Sequence, residues 1–316
     1  MIMSEVALII IFNHRYDRNI DRLEKIYEGK FSHIYHLVPF YDGTKENVIP
    51  VYGRSIFFQG YVAQGLKSYF NEKYKHYFFI ADDMILNPAI NENNYQAFFS
   101  LSHETSFVPE LVPLHDRTGA ICQSSNGFWI GTLSAYYYKL KQKYVEVSHE
   151  IPTEDKAIAN LKLQDIVFKP IKKNNLFGKP TVLPHNLGDK ARMLAWAYTT
   201  LLHPFKRKFE LPYPLISSYS DIAIISSATI KEFCHYCGVF AATCLFAEVA
   251  IPSALVLATK TKIRTEKDLN HRGRALWQVK KDYMYLEKNF KTLNDILENF
   301  PPDYIYLHPV KLSKWK

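Results

Sequence analysis

Cysteine is scarce in this sequence, which has four in 316 residues: Cys122, Cys234, Cys237 and Cys244. Disulfide frameworks are typical of small secreted domains, and four cysteines in a chain of this length are too few for one. Cys234 and Cys237 form a single C-x-x-C among apolar and aromatic neighbours, with no second pair. We interpret them as core thiols rather than as a zinc or redox site, and we expect a reducing, cytoplasmic compartment.

Three motifs of common enzyme classes are also absent. The chain has no G-x-x-x-x-G-K-[ST], no G-x-G-x-x-G and no G-x-S-x-G. Their absence argues against a P-loop ATPase, a simple dehydrogenase and an α/β-hydrolase.

No segment reads as a signal peptide or a membrane span. The apolar run Val6–Phe12 has no basic residue before it and no small-residue cleavage site after it. Val239–Ala258 is long enough to span a bilayer, but Glu248 at its centre would cost roughly 2.5–3.5 kcal/mol there. Pro252 adds a break. We predict that this segment is a buried core helix.

The composition is that of a globular chain with two unusual features. Hydrophobic residues make up 47% and charged residues 22%, which excludes a disordered chain, whereas aromatic residues reach 15% and the net charge is +8. A basic excess favours anionic partners, namely phosphates, nucleic acid or an acidic membrane surface. Composition does not choose among them.

The first third of the chain alternates between strand and helix patterns. Apolar runs of strand length are separated by amphipathic segments, and the predicted elements are strand Val6–Phe12, helix Asp21–Tyr27, strand Ser32–Phe40, helix Ser55–Tyr74 and strand His76–Ala81. This alternation predicts an α/β fold, with a mostly parallel sheet flanked by helices.

Polar residues follow all three predicted strands. They are Asn13-His14-Arg15, Tyr41-Asp42 and Asp82-Asp83. Parallel strands end at the same edge of a sheet, and ligands of such sheets bind beyond that edge. We therefore expect these three groups to converge on a ligand site.

The remaining two thirds are less regular. We predict a strand at Asp221–Ile225, a helix at Thr229–Cys237, a loop at Asn270–Trp277 and an aromatic strand ending in His308-Pro309 within Tyr304–Trp315. Further predicted elements are a strand at Ser124–Gly131, helices at Ala135–Tyr144 and Lys190–Leu202, and a loop at Lys169–Pro184.

Asp82 and Asp83 allow two interpretations. Aspartate is common where a strand ends, and Asn87-Pro88 follows, so the pair can be a solvated turn. The alternative is a site for Mg²⁺ or Mn²⁺, which needs one or two carboxylates and bridges phosphate oxygens. The position after the third strand favours the metal site.

With these motifs in place, the sequence resembles the glycosyltransferases of the GT-A fold. The resemblance rests on LIIIFNHR, HLVPFYDG and FFIADDMILNP, and covers about the first 90 residues. It implies that Ala81-Asp82-Asp83 occupies the D-x-D-type motif, with Ala81 at its first position. Asp83 would be the metal ligand and Asp82 a ribose or metal-shell contact.

Glu248, within LFAEVAIP, is the candidate catalytic residue. Pro252 has no N–H, so the carbonyl of Glu248 lacks its helical partner and the helix should bend or break there. Apolar surroundings would raise the pKa of the carboxyl and strengthen it as a base. The resemblance implies that an acidic residue near the acceptor deprotonates its hydroxyl. A structural ion pair is the alternative.

Basic residues near the C-terminus are candidate phosphate contacts. The resemblance implies that a late histidine, here His308, completes the metal or diphosphate site, and Lys311 would face the leaving diphosphate. The loop Asn270–Trp277 can clamp phosphates through His271, Arg272 and Arg274, or it can be a solvated basic surface. Phe128, Trp129 and His185 can shape an acceptor pocket, although core packing also explains the aromatic pair.

These observations predict a cytoplasmic, inverting glycosyltransferase that uses Mn²⁺ or Mg²⁺ and acts in glycan or polysaccharide biosynthesis. Residues 1–120 would bind the nucleotide-sugar through Phe12, Asn13, Arg15, Asp42 and Asp82, and residues 121–316, continuous with the same sheet, would bind the acceptor and include a helical region. A lipid-linked acceptor would add a peripheral membrane contact.

Two alternatives remain open. A nucleotidyltransferase would use the same acidic pair but consume a nucleoside triphosphate. A non-enzymatic nucleic-acid-binding module would use the basic surface, although the basic residues are spread along the chain and form no recognised motif.

Overall fold

A five-stranded sheet lies at the centre of the chain in the computed structural model, which describes residues 5–116, 146–172, 210–211, 213–276 and 284–315. With strands numbered in chain order, its members are β1 (Val6–Ile11), β2 (Ile34–Pro39), β3 (Val48–Val51), β4 (His76–Ala81) and β10 (Ile222–Ser226). Their order across the sheet is β10-β4-β1-β2-β3. The predicted α/β class with a mostly parallel sheet is confirmed.

The central position of β1 follows from its sequence. All six of its residues are apolar and buried, as expected of a strand with helices on both faces. It pairs in parallel with β2 and with β4, with Ile10 opposite His36 on one side and Ile80 on the other. The edge strand β3 was not predicted, and it contains Pro50, which a sheet tolerates at an edge.

The fifth strand runs against the others. β10 pairs antiparallel with β4, with Ile224 opposite Phe78. Its amino end therefore lies at the sheet edge where β1, β2 and β4 have their carboxyl ends. This reversal positions part of the candidate site described below.

A second sheet brings the C-terminal strand to the end of β4. Its members, in spatial order, are β11 (Arg272–Ala275), β12 (Tyr304–His308) and β5 (Ile85–Leu86). β5 follows Asp82-Asp83 after one residue and pairs antiparallel with β12, with Leu307 opposite Ile85. The prediction that Asn270–Trp277 is a loop is wrong for Arg272–Ala275, which forms β11.

The remaining strands are two-residue pairs. β6 (Val112–Pro113) pairs with β9 (Ile216–Ser217), and β7 (Ile171–Lys172) pairs with β8 (Glu210–Leu211). Only Ile171 and Lys172 of the loop predicted at Lys169–Pro184 thus belong to a strand among the described residues.

The described α-helices, also numbered in chain order, are α1 (Asp17–Tyr27), α2 (Gln59–Tyr69), α3 (Tyr95–Phe98), α4 (Glu154–Leu163), α5 (Ile230–Ala242), α6 (Ala247–Ala258), α7 (Tyr285–Asn289) and α8 (Leu293–Glu298). The helix predicted at Ser55–Tyr74 is a 3₁₀ turn, Ser55–Phe57, followed by α2, and it ends at Tyr69.

The side-chain alternation of β1 divides the interior into two cores. Ile9 and Ile11 face a core that contains apolar residues of α2, α5 and α6. Leu8 and Ile10 face the core covered by α1, whose buried stripe includes Ile20 and Leu23. Successive residues of a strand point to opposite faces, so one short apolar run serves both cores.

The segment Val239–Ala258 is not one helix, contrary to the prediction. α5 ends at Ala242, and Cys244 has a φ of 56°. The N–H of Cys244 donates to the carbonyl of Ala241 at 3.0 Å, and that of Leu245 to the carbonyl of Phe240 at 2.9 Å. These two bonds form a Schellman motif, which ends the helix and usually requires glycine where this chain has Cys244.

The segment is buried, as predicted, but as two separate helices. No described helix has both the length and the apolar character that crossing a bilayer would require. The predicted elements Ser124–Gly131, Ala135–Tyr144 and Lys190–Leu202, together with Phe128, Trp129 and His185, lie outside the described residues.

Candidate functional site

The ends of β1 and β4 meet as the sequence predicts. The backbone N–H of Asn13 donates to Oδ1 of Asp82 at 3.3 Å. The N–H of Asp82 in turn donates to the carbonyl of Ile11 at 2.9 Å. A depression too small to hold a water molecule lies beside this contact and is lined by Ile11, Asn13, Phe58, Ala81 and Asp221. The acidic pair thus lies at the carboxyl edge of the sheet, next to a concave surface.

Asp83 and His308 are in direct contact, although 225 residues separate them in sequence. Nε2 of His308 lies 2.7 Å from Oδ1 of Asp83. The backbone N–H of Val310 donates to the carbonyl of Asp83 at 2.6 Å. The pairing of β5 with β12 explains this contact, because it aligns the residues after β12 with those before β5.

Asp221 joins this cluster and was not identified from the sequence. Its Oδ2 lies 3.9 Å from Nδ1 of His308, and its carbonyl accepts from the N–H of Ala81 at 2.9 Å. It precedes β10, which is antiparallel to β4, so a residue at the start of a strand reaches the edge where the parallel strands end. The sequence does show an aspartate before the apolar residues of β10. That pattern points to the site only when the direction of β10 is known.

Tyr219 is the second residue that the sequence did not identify. Its hydroxyl hydrogen-bonds Nδ1 of His308. Its ring stacks on that of Tyr306, with the ring centroids 5.9 Å apart and the planes 9° apart. Both ring nitrogens of His308 are therefore engaged, one by Tyr219 and the other by Asp83.

Two carboxyl groups of this cluster, those of Asp82 and Asp221, have raised pKa values. Burial, and then the charge of Asp83, raises the pKa of Asp82 to about 7. Burial also raises the pKa of Asp221, against the influence of His308. Burial alone would lower the pKa of His308, but Asp221 and the hydrogen bond to Asp83 raise it above its usual value. Ionisable groups whose pKa values are shifted by burial and by one another are found most often at functional sites.

Asp83 has the properties that a hard divalent cation requires. Its side chain is 24% exposed, and Oδ2 has no hydrogen-bond partner among the described residues. No three described His, Cys, Asp or Glu side chains are arranged to hold a metal ion. Mg²⁺ nevertheless binds through one or two carboxylates when waters and substrate phosphates complete its shell. The role of His308 as a metal ligand stays a prediction.

The loops after β1 and β2 are joined by an ion pair. Arg15 forms a salt bridge with Asp42 and donates to the carbonyl of Phe40 at 3.0 Å. The exposed rings of Phe40 and Tyr52 pack edge to face, with centroids 5.5 Å apart. Phe40 has a φ of 55°, a strained backbone for an aromatic residue. These residues present a charged and aromatic surface at the same sheet edge.

Phe12 has a different environment from its predicted neighbours. Its ring is fully buried and packs edge to face on His36, with centroids 5.8 Å apart. The buried ring of Phe12 can therefore affect a ligand only indirectly, by fixing the backbone that leads to Asn13. Its role as a ligand contact stays a prediction.

Glu248 lies in the first turn of α6 and is half-buried. Its carbonyl accepts from the N–H of Ser218 at 3.0 Å, because Pro252 supplies no N–H. The helix continues past Pro252 rather than breaking at Glu248, so the predicted bend is replaced by a helix start at Ala247. This hydrogen bond links Glu248 to Ser218, and Ser218 precedes Tyr219 and Asp221 of the candidate site in sequence.

The basic C-terminal candidates lie in two places. Lys311 is exposed and follows Val310, the residue bonded to Asp83. The guanidinium of Arg272 lies 5.8 Å from the ring centroid of Tyr304, and that of Arg274 lies 5.5 Å from the centroid of Tyr285. The two arginines thus have aromatic contacts, which accounts for their packing.

His271 completes the basic candidates of this region. Its ring lies 5.8 Å from that of Phe98, in a tilted arrangement. The clamping of phosphates by His271, Arg272 and Arg274 stays a prediction.

No protein-family model, no curated protein and no solved structure matches the chain. The functional assignment therefore depends on the geometry of the site.

Proposed function

We propose that the chain is an inverting glycosyltransferase of the GT-A type, which transfers a sugar from a nucleotide-sugar to an acceptor hydroxyl. The supporting observation is the cluster of Asp82, Asp83 and Asp221 around His308, at the carboxyl edge of a mostly parallel sheet. Ligands of such sheets bind at this edge. A diphosphate held there through a divalent cation would relieve the repulsion among the carboxylates.

Mg²⁺ or Mn²⁺ fits this cluster, with Asp83 as the protein ligand and Asp82 in the surrounding shell. The bound ion would supply positive charge beside the leaving diphosphate. His308 holds Asp83 in one orientation through the 2.7 Å contact, and Tyr219 holds His308. Lys311 follows Val310, whose N–H is bonded to the carbonyl of Asp83, and it would offset the charge of the diphosphate.

The nucleoside would occupy the surface formed by the loops after β1 and β2. Arg15 and Asp42 offer paired charges for ribose and base, and the exposed rings of Phe40 and Tyr52 offer flat apolar surface. Asn13 connects this surface to Asp82. Residues 1–120 would thus bind the nucleoside and supply Asp82 and Asp83. Residues 121–316 would bind the acceptor and would also contribute Asp221, His308 and Lys311 to the diphosphate site.

Glu248 would act as the general base. The acceptor oxygen bonds to the anomeric carbon as the bond from that carbon to the phosphate oxygen breaks, and the electron pair leaves with the nucleoside diphosphate. The acceptor proton passes to the carboxylate of Glu248. Displacement from the opposite face inverts the anomeric centre. A glycan or a lipid-linked glycan would be the acceptor, and a lipid-linked one would hold this cytoplasmic enzyme at a membrane surface.

The donor class is tested by incubating the full chain with UDP-, GDP- and CMP-sugars and, separately, with nucleoside triphosphates plus sugar 1-phosphates. Release of a nucleoside diphosphate or monophosphate from a nucleotide-sugar is the expected result. Consumption of a triphosphate with a sugar phosphate, while all nucleotide-sugars remain intact, would identify a nucleotidyltransferase instead.

The metal assignment is tested by thermal shift with nucleoside diphosphates, with and without Mn²⁺. We expect a Mn²⁺-dependent increase in Tm that is lost in Asp83→Ala and kept in Asp303→Ala, a change at an exposed carboxylate. The same Mn²⁺-dependent shift in Asp83→Ala would remove Asp83 as the ligand.

A further inference from the structure

A cavity of about 520 Å³ lies between the start of α1 and the C-terminal 3₁₀ turn Leu312–Lys314. Its lining includes Arg15, Tyr16, Arg18, Arg22 and Ser313. The volume lies within the range of pockets that hold small molecules. The site proposed for the donor uses Arg15 of this lining but not Arg18, Arg22 or Ser313, so these three residues have no assigned ligand.

The lining is strongly basic. The lining contains three arginines and one carboxylate, that of Asp17, which forms a 3.0 Å salt bridge with Arg15. Arg15 also pairs with Asp42, which lies outside the lining, so Arg18 and Arg22 supply the positive excess. Two further lysines, Lys311 and Lys314, flank Ser313 in sequence and are exposed. The charge of the cavity is thus positive, even after its internal ion pair is counted.

Arg18 and Arg22 form no salt bridge with any residue that the structure describes. Nη1 of Arg22 donates to the carbonyls of Leu312 at 2.7 Å and of Trp315 at 3.4 Å, which are neutral acceptors. The guanidinium of Arg18 has no hydrogen-bond or salt-bridge partner among the described residues, and it lies one helical turn from Arg22. Like charges at this spacing repel each other and destabilise a helix. A bound anion would remove that repulsion.

The helix start adds backbone donors. The first N–H groups of a helix have no partner within it, and Tyr16 at the N-cap of α1 makes no side-chain capping bond. The N–H of Asn19 donates to the carbonyl of Tyr16 at 2.8 Å, so the available donors are the N–H groups of Asp17 and Arg18. Arginine forks match the oxygens of a phosphoryl group, and the hydroxyl of Ser313 can donate one further bond. The bonds of Arg22 to the C-terminal turn hold both walls of the cavity together before any ligand arrives.

We infer that this cavity binds a phosphoryl group of a small ligand, held by Arg18, Arg22 and the hydroxyl of Ser313. The group can belong to a soluble phosphorylated metabolite or to a phospholipid headgroup, since both present the same oxygens. The inference does not depend on the proposed transferase activity, because it uses neither the acidic cluster nor a divalent cation.

The direct test is calorimetric titration of the full chain with inorganic pyrophosphate in EDTA. We expect one equivalent to bind, with affinity lowered about tenfold in Arg18→Gln, the loss typical of one charge-assisted hydrogen bond. Lys25→Gln is the matched control: it removes an exposed charge on the same helix, about 10 Å further along its axis. Arg18 is exposed, so melting of the variant should be unchanged.

A second arm separates the two sources of the phosphoryl group. Full chain is sedimented with vesicles of phosphatidylcholine alone and with vesicles containing phosphatidic acid. A lipid headgroup would be identified if the chain binds the acidic vesicles and if this binding is weaker in Arg18→Gln but not in Lys25→Gln. Pyrophosphate binding without this vesicle effect would identify a soluble ligand.

Two results would overturn the inference. One is the absence of pyrophosphate binding at millimolar concentration, and the other is an equal loss of affinity in Arg18→Gln and Lys25→Gln, which would indicate general electrostatics. The titration is also run on Asp83→Asn. Loss of EDTA-insensitive binding in that variant alone would place the phosphoryl group at the acidic cluster and refute the cavity, whereas failure of the donor assays leaves this titration unaffected.

Discussion

His36 is a fully buried histidine in β2, and we expect its protonation to destabilise the fold at acidic pH. Its ring packs on Phe12, and neither ring nitrogen has a hydrogen-bond partner in the part of the chain that the structure describes. The carboxylate of Glu24 lies 3.6 Å from Nε2, but Lys45 binds the same carboxylate at 2.6 Å. Asp21 also pairs with Lys45. The nearest acidic group is thus already compensated and offers little to a protonated ring.

The magnitude follows from the pKa of His36. Burial lowers it from 6.5 to about 4, with Glu24 opposing and Lys45 adding to the effect. The unfolded chain therefore binds the proton first. The stability contributed by the neutral ring is present above the unfolded pKa of 6.5 and is lost as the pH falls to the folded value. At about 1.4 kcal/mol per pKa unit, the loss is about 3 kcal/mol.

The assay is urea unfolding, followed by circular dichroism, at a series of pH values between about 7 and 4. Between these limits the free energy of unfolding should fall by about 3 kcal/mol less in His36→Leu than in the wild-type chain. His14→Leu, a change at an exposed histidine, should match the wild type. His76, whose pKa is also lowered to about 4, titrates in all three proteins. Parallel declines in the wild type and His36→Leu would refute the reasoning.

The remaining predictions concern the candidate base and the packing around two glycines. Glu248→Gln should lower sugar transfer by about 10²- to 10⁴-fold, the usual contribution of a general base, with Tm unchanged. The control Glu298→Gln, at an exposed residue, should keep full activity. Full sugar transfer by Glu248→Gln would exclude Glu248 as the base. Gly273→Ala would place a Cβ 2.0 Å from the ring of Tyr306, so it should destabilise the chain by about 1–3 kcal/mol in urea unfolding. Gly238→Ala adds a Cβ that meets an ordinary contact at 3.5 Å within a helix, so it should raise the free energy of unfolding by up to about 1 kcal/mol. Equal effects of the two substitutions would contradict the close contact inferred at Gly273.

The parts of the fold that the sequence predicted are those with strong local patterns. The bounds of β4 agree with the prediction at both ends, and α1 ends at Tyr27 shortly before Gly29, which has a φ of 71°. The missed elements carry weak or misleading patterns. β5 has two residues, and β11 has the sequence Arg-Gly-Arg-Ala, in which Gly273 allows close approach to the ring of Tyr306.

The break between α5 and α6 was missed for a related reason. Leu245 and the residues around it are as apolar as those of the two helices, and the residue with positive φ is Cys244 rather than glycine. A helix that ends in a Schellman motif without glycine has no signal in its composition.

The candidate site likewise contains residues that the sequence predicted and residues that it did not. Asn13, Asp82 and Asp83 were predicted to converge because they follow predicted parallel strands, and the contact of Asn13 with Asp82 confirms that they do. Asp221 and Tyr219 were not predicted, because they precede a strand rather than follow one.

By itself, the sequence determined the longer buried strands β1, β2, β4 and β10 and the polar residues beside them, because long apolar runs and polar turns are local properties of the chain. Only the tertiary structure decided the direction of β10 and the partner of β5. Side chains alternate with a period of two in parallel and in antiparallel strands alike, so the pattern carries no information on direction. The approach of Asp221 and His308 to Asp83 depends on those two pairings.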